Sequence, residues 1–325
     1  MRPENFEVLV EQGRTPVAQV AAGAADEGAE AFAARNRDAL LAVVAEHGAV
    51  LVRGTGLRDA AELGAIGKHL SGTLLTEREG LASRSAYAEN VYSSSKWPAD
   101  QPMCMHHELS YASEVPGLML FGCLTPPASG GATAVADARK MLAELPAELV
   151  ERFETTGWTL TRNYGELVGV PLAEAFGDVD RAAVEEYCRR NGIEHEWTAD
   201  GALSTSQRRA AVVTHPATGE RCWFNQIAFL NEWTMDPDVR DYLTMEFGPS
   251  GLPFNTAHGD GEPIGEDVVA RINALYEANT LREPWQAGDV LLVDNIRMAH
   301  SREAYTGDRE VVVVMADPVA PPLPG

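Results

Sequence analysis

Hydrophobic and polar positions change period several times along the chain, and each change predicts an element. Residues 25–47 carry Phe32, Leu40, Leu41 and Val44 at helical spacing in an Ala-, Glu- and Arg-rich background. This predicts one amphipathic helix, stopped at Gly48. Residues 49–54 then read as a short buried strand, and 57–70 return to the helical period. This α–β–α opening, residues 1–83, is expected to form an outer layer on the sheet that follows. From 84 to 100 the pattern is irregular. Tyr87 to Pro98 is polar and aromatic with loop punctuation, which suits a pocket wall or an ordinary surface loop.

Beyond residue 100, short apolar runs are separated by Gly/Pro turns. Strands are predicted over 118–124, 133–137, 290–294 and 310–315, with strand-like pieces at 156–162, 210–215 and 221–227. Pro216 to Gly219 reads as a hairpin turn. Helical pattern covers 138–154, 179–191, 234–247 and 264–280. No internal repeat or long linker is evident. The pattern predicts a mainly β fold, a sandwich or jelly roll with helical insertions. We expect one domain over 1–325. Its core would span 84–316, with helical insertions near 138–200 and 234–282. A Pro-rich tail, 317–325, is expected to be poorly ordered.

Composition narrows the function classes. The chain has 325 residues, a normal apolar content and a formal net charge of −22. A surface that tracks phosphates needs clustered Lys and Arg, so nucleic acid is excluded as a partner and an anionic membrane is disfavoured. Otherwise the acidity reads as a solubility property. Cys104, Cys123, Cys188 and Cys222 show no C-x-x-C spacing and read as reduced core thiols of a cytoplasmic protein. The N-terminus lacks a signal-peptide hydrophobic region, and no apolar run approaches the roughly 20 residues of a membrane span.

Chemistry enters at Cys104-Met105-His106-His107-Glu108-Leu109-Ser110-Tyr111. On an extended strand, His106 and Glu108 would share a face. One imidazole and one carboxylate are two thirds of a facial triad, which holds non-haem Fe(II) with open coordination positions. Surface or capped core residues are the plain alternative. A third group, His300, follows the buried run 290–294. Nine residues later Arg309 leads into Val311-Val312-Val313-Val314. A partly buried Arg there needs an anionic partner, either an internal Asp or Glu or a dicarboxylate ligand.

Taken together, these segments resemble the TauD/TfdA-type Fe(II)- and 2-oxoglutarate-dependent dioxygenases, closest to the SyrP-like branch. That branch hydroxylates amino acids in peptide natural-product pathways. The resemblance runs from about Val50 to Ala316. It rests on 89–94, 106–111, Pro116-Gly117, Gly130-Gly131-Ala132-Thr133, 223–226, 288–295 and 300–309. It implies a double-stranded β-helix (cupin-like jelly roll). It also implies His106, Glu108 and His300 as catalytic iron ligands, and Thr133 and Arg309 as partners of the distal 2-oxoglutarate carboxylate. His107 would point away from the metal. O2 and 2-oxoglutarate would be converted with the substrate to succinate and CO2. Halogenating relatives carry a small residue in place of the acid, so Glu108 favours hydroxylation. Taurine-oxidising relatives carry a second Arg where this chain has Val313, which argues against taurine.

Substrate contacts are expected from Arg302, Asn90, Ser94, Asn225 and Gln226. For Arg302 a surface pair with Glu303 or Asp308 is the competing reading. The expected partner is an amino-acid-like small molecule, free or tethered to a peptidyl carrier protein. Carrier proteins are usually acidic, so the net charge here opposes docking unless a basic patch exists. The same oxidant could serve desaturation, epoxidation or cyclisation. Outside this class stand a non-catalytic metal- or ligand-binding jelly roll and a Zn(II) hydrolase. Nothing near the triad reads as a dedicated general base for the latter.

Overall fold

The computed structural model describes residues 5–80, 84–94, 97–165, 168–177, 180–198 and 201–321. Its largest sheet has eight strands. Their order is Phe6–Leu9, Val17–Val20, Ala49–Arg53, Val290–Asp294, Val115–Thr125, Glu310–Val319, Val91–Ser93, Ala86–Ala88. Val115–Thr125 and Glu310–Val319 pair antiparallel along nearly their whole length. Both are continuous apolar runs because both faces of this sheet are covered. Val311, Val313 and Met315 join a core with Met105, Val135 and Ala299. Val312, Val314 and Ala316 join a second core with Phe32, Leu63 and Leu70. The split follows the two-residue period of a strand.

The first core lies under a smaller sheet, ordered Thr280–Leu281, Val135–Asp137, Met298–Arg302, Met103–His106. The two sheets form the jelly roll that the pattern predicts. The second core lies under the N-terminal helices. Helix Ala60–Ser71 approaches closely through two glycines. A Cβ on Gly64 would come within 2.8 Å of Val91, and one on Gly67 within 2.8 Å of Val314. A third sheet, ordered Glu194–Trp197, Leu203–Arg209, Trp158–Tyr164, Phe254–His258, flanks the jelly roll.

Several expectations need correction. The helix predicted over 25–47 is two, Ala29–Arg35 and Arg37–His47. Asn36 interrupts it, donating from Nδ2 to the Phe32 carbonyl at 2.8 Å and accepting from Asn5 through Oδ1. Residues 138–154 also divide, into Ala138–Glu144 and Ala147–Thr156. Pro146 lacks an N–H and holds Leu145 in an extended conformation, which ends the first helix. The insertion 138–200 holds the strand expected near 156–162, Trp158–Tyr164, and one that the pattern does not predict, Glu194–Trp197, both in the third sheet. The irregular stretch 84–100 contains a short hairpin, Ala86–Ala88 with Val91–Ser93; Ser95 and Lys96 lie outside the described residues. The predicted tail begins too early, because Pro318 and Val319 still belong to the last strand. Residues 322–325 of that tail lie outside the described residues. All four cysteines are free thiols. Among the described residues, no helix is long and apolar enough to cross a membrane.

Candidate metal and co-substrate site

His106 is the last residue of strand Met103–His106, and its direct cross-strand partner is His300 on Met298–Arg302. Their rings stand 4.3 Å apart. Glu108 reaches the same point by a different route from the one its spacing suggests. The strand ends at His106, and Glu108 lies in the turn that follows, beside Leu109 at φ 53°. Residues two apart on one strand therefore do not explain the convergence. Asn295 does. Its Oδ1 accepts from the Glu108 N–H at 2.8 Å. Its Nδ2 donates to the Glu108 and Pro116 carbonyls at 3.0 and 2.9 Å.

Candidate ligand atoms of His106, Glu108 and His300 lie within 4.8 Å of one another, all on buried residues. The donor set suits a divalent cation that prefers mixed nitrogen and oxygen ligands. His106 Nδ1 sits 2.8 Å from the Cys104 carbonyl. A carbonyl only accepts, so Nδ1 carries the proton and Nε2 keeps its lone pair for a metal. Burial, then the neighbouring His300, pushes the His106 pKa down to about 3, so the imidazole is neutral and available. His107 turns aside, donating from Nδ1 to the Asn295 carbonyl at 2.6 Å and packing on Phe224.

Arg84 is a site residue that the sequence reading missed. Its guanidinium is buried and contacts Glu108 at 3.0 Å and Glu77 at 3.3 Å. Burial alone would raise the Glu108 carboxyl. Arg84 and the two imidazoles instead hold it well below the usual carboxylate range. No motif marks Arg84, because its partner Glu108 is 24 positions away across a loop.

One cavity beside the triad is lined by Ser94, Thr133, Val313 and Arg309. Arg309 donates to the Gly131 carbonyl at 2.9 Å, to Thr133 Oγ1 at 3.3 Å and to Ser94 Oγ at 3.4 Å. Among the described residues, no carboxylate lies within ion-pair distance of its guanidinium. Burial, then the nearby Arg302, pushes its pKa down to about 10. The internal Asp or Glu partner allowed by the sequence is not what the structure shows.

Two substrate expectations are corrected outright. Asn90 sits in a hairpin turn at φ 59°, accepts from Thr76 Oγ1 at 2.7 Å, and lines neither cavity at the triad. Asn225 is buried in a structural role, donating to the Ala211 carbonyl and accepting from the Ile227 N–H. Arg302 does line the first cavity, and its two terminal nitrogens donate to the carbonyls of Trp97, Pro98 and Gln101. It forms no pair with Glu303 or Asp308 among the described contacts; Nη1 and Nη2 fix the loop 97–101, and the buried Nε has no hydrogen-bond partner among the described residues. Ser94 and Gln226 both face the cavities.

Replacing Asn295 tests how the site is built. Asn295→Ala leaves one buried N–H and two buried carbonyls without partners. We expect unfolding by denaturant to show a loss of about 3–4 kcal/mol. Asn295→Asp should be no milder, since an acceptor would then face two carbonyls. A loss within about 0.5 kcal/mol, the range of ordinary surface changes, would show that the turn is held by something else.

The model of the family described as "Taurine catabolism dioxygenase TauD, TfdA family" matches residues 14–315. The dapdiamide synthesis protein DdaC of Enterobacter agglomerans is 34% identical over 279 residues, 86% of this chain and 85% of that protein. A clavaminate synthase-like protein of Arabidopsis thaliana, At3g21360, is 27% identical over 277 residues, 82% of this chain and 81% of that protein. Among solved structures, a taurine dioxygenase from Burkholderia xenovorans superposes with a TM-score of 0.53. It covers 98% of this chain and 92% of that one at 16% identity, a likeness of fold.

Proposed function

The chain belongs to the TauD/TfdA family of dioxygenases, oxidoreductases that use Fe(II), 2-oxoglutarate and O2, and from that premise we propose that it hydroxylates an unactivated C–H bond of an amino-acid-like substrate in a natural-product pathway. His106, Glu108 and His300 would hold the iron, and Arg309 with Thr133 would take the distal carboxylate of 2-oxoglutarate. Arg309 carries the reading. A buried guanidinium with no carboxylate partner among the described residues, in a cavity that also opens on the triad, is unfavourable until an anion arrives. The similarity to DdaC, which is named for a biosynthetic pathway, supports a biosynthetic role.

When bound together, Fe(II), 2-oxoglutarate and O2 supply the oxidant for C–H hydroxylation, with succinate and CO2 as co-products. The protein's own residues bind, orient and exclude water. Arg309 offers its fork and Thr133 its hydroxyl to one end of the co-substrate. Phe229 stacks on the His106 ring at 4.8 Å and contacts Trp97. These rings restrict water next to the triad. Glu108 fills the acid position, which is the arrangement that favours hydroxylation over halogenation. Val313 lines the cavity where a taurine reader would need an Arg, so taurine is not the proposed substrate.

An anaerobic titration tests the assignment. Fe(II) and 2-oxoglutarate added to the purified protein should give the weak visible charge-transfer band of a chelated 2-oxo acid, and His300→Ala should abolish it. A folded, iron-loaded parent with no band would sink the reading.

A further inference from the structure

A second cavity also opens on the triad. It shares Arg84, Met103, His106 and Glu108 with the first, and its other walls include Glu77, Trp97, Gln226, Phe229 and Phe254. Most of this lining is aromatic or apolar, so its few polar groups decide what head group can enter. We propose that Arg84, Glu77 and Gln226 form a head-group site for a free α-amino acid, which is taken as the zwitterion and not as a carrier-bound thioester. The proposal deepens the hydroxylase reading and rests on it for the site's place beside the iron ligands.

Three observations carry it. Arg84 Nη1 is buried and has no hydrogen-bond partner among the described residues, although the rest of the guanidinium faces Glu108 and Glu77. A ligand acceptor is missing there. Gln226 supplies the opposite need. Its Nε2 donates to the His107 carbonyl at 2.7 Å. That carbonyl cannot donate, so the amide has one allowed orientation, and Oε1 is left as a buried acceptor without a donor among the described residues. Glu77 adds a carboxylate to the same cavity.

Charge then selects the ligand. Glu77 and Glu108 already share one guanidinium. A ligand carboxylate on Arg84 Nη1 would gather three anions around a single buried cation. An ammonium group on the same ligand, placed against Glu77 and Gln226 Oε1, restores the balance. A zwitterion meets both unmet needs and leaves the net charge of the site unchanged. An aminoacyl thioester brings the ammonium but no carboxylate, so Arg84 Nη1 stays unpaired in a desolvated place. The body of the amino acid would lie against Trp97, Phe229 and Phe254.

The test is equilibrium binding followed by turnover. The Fe(II)- and 2-oxoglutarate-loaded protein, kept anaerobic, is titrated calorimetrically with the free proteinogenic and the common diamino L-amino acids. The best ligand is then compared with its α-carboxamide, its N-acetyl derivative and its N-acetylcysteamine thioester. Each of these should bind at least ~100-fold more weakly than the free amino acid, since a site built for hydrogen bonds rejects ligands that lack them. Glu77→Gln should weaken the free amino acid by ~10-fold or more and leave the N-acetyl derivative unaffected, an asymmetry that misfolding would not produce. A thioester that binds as well as the free amino acid would overturn the proposal, as would a panel in which no free amino acid binds. Failure of the hydroxylase reading looks different. In that case the free amino acid binds, but admitting O2 yields no product enlarged by one oxygen.

Discussion

Arg309→Leu is expected to raise the dissociation constant for 2-oxoglutarate by two to three orders of magnitude and, without co-substrate, to make the protein more stable. The two effects have one cause. In the structure Arg309 donates to a carbonyl and two hydroxyls, and no carboxylate among the described residues neutralises it. Burial has already weakened its hold on its proton. An incoming carboxylate would supply the missing anion, and removing the cation forfeits about 3–5 kcal/mol of that interaction. Without 2-oxoglutarate the same cation is a burden, and an apolar residue of similar length should be more stable there by about 1–3 kcal/mol. Calorimetric titration reads the first effect and denaturant unfolding the second. Iron affinity should change little, because Arg309 is not among the three candidate ligands. If 2-oxoglutarate affinity survives the change, its distal carboxylate is held elsewhere.

Which features could be read in advance follows from physical chemistry. The central strands were legible because burial on both faces leaves no polar position in Val311 to Met315. Leu203–Arg209 was not, although its burial alternates strictly. Its inward positions are Leu203, Thr205, Gln207 and Arg209, so the period is written mostly in polar residues. Gln207 donates to Glu79 and Arg209 to the Tyr111 carbonyl, and no hydropathy pattern carries those bonds. The jelly roll itself was expected, and its TauD-like neighbours bear it out.

At the site, the residue types at 106, 108 and 300 drew attention for the right elements but partly the wrong geometry. His106 and His300 meet as cross-strand neighbours, which sequence does not encode locally. Glu108 arrives through a turn held by Asn295, 187 positions later. Asn90 and Asn225 read, in sequence, as polar residues near the expected pocket. Asn225 is instead held by the Ala211 carbonyl and the Ile227 N–H, and Asn90 accepts from the Thr76 hydroxyl away from both cavities. Arg302 is mostly spoken for, with Nη1 and Nη2 on three carbonyls and only Nε unpartnered among the described residues. Polarity near a motif is a weak guide. What marks a ligand contact is a buried group whose hydrogen bonds the fold does not complete, and that can be seen only once the chain is folded.

Arg84→Leu is the second large effect, and its sign depends on pH. In the parent, Arg84 sits between Glu77 and Glu108. Glu108 is thereby held below its ordinary range. Its contribution to stability is present above the unfolded carboxylate pKa of about 4 and is lost only as pH falls through the depressed folded value. Removing Arg84 leaves two buried carboxylates facing each other without a cation. The metal-free variant should lose about 3–5 kcal/mol near neutral pH. Desolvation and mutual repulsion then lift Glu108 above its unfolded value and push Glu77, which burial already raises in the parent, higher still. A group raised in the fold binds protons more tightly there, so the variant should gain stability as the pH is lowered from about 7 toward 5. Over the same interval the parent gains nothing from Glu108, which stays ionised, and only the smaller share that its Arg84-paired Glu77 allows. Fe(II) should recover part of the loss in the variant, because the metal brings positive charge to the same carboxylate. Denaturant unfolding of both proteins at pH 5 and pH 7, with and without Fe(II) under anaerobic conditions, reads all three effects. A variant whose stability falls on acidification in parallel with the parent would show that Arg84 does not carry the charge balance of the site.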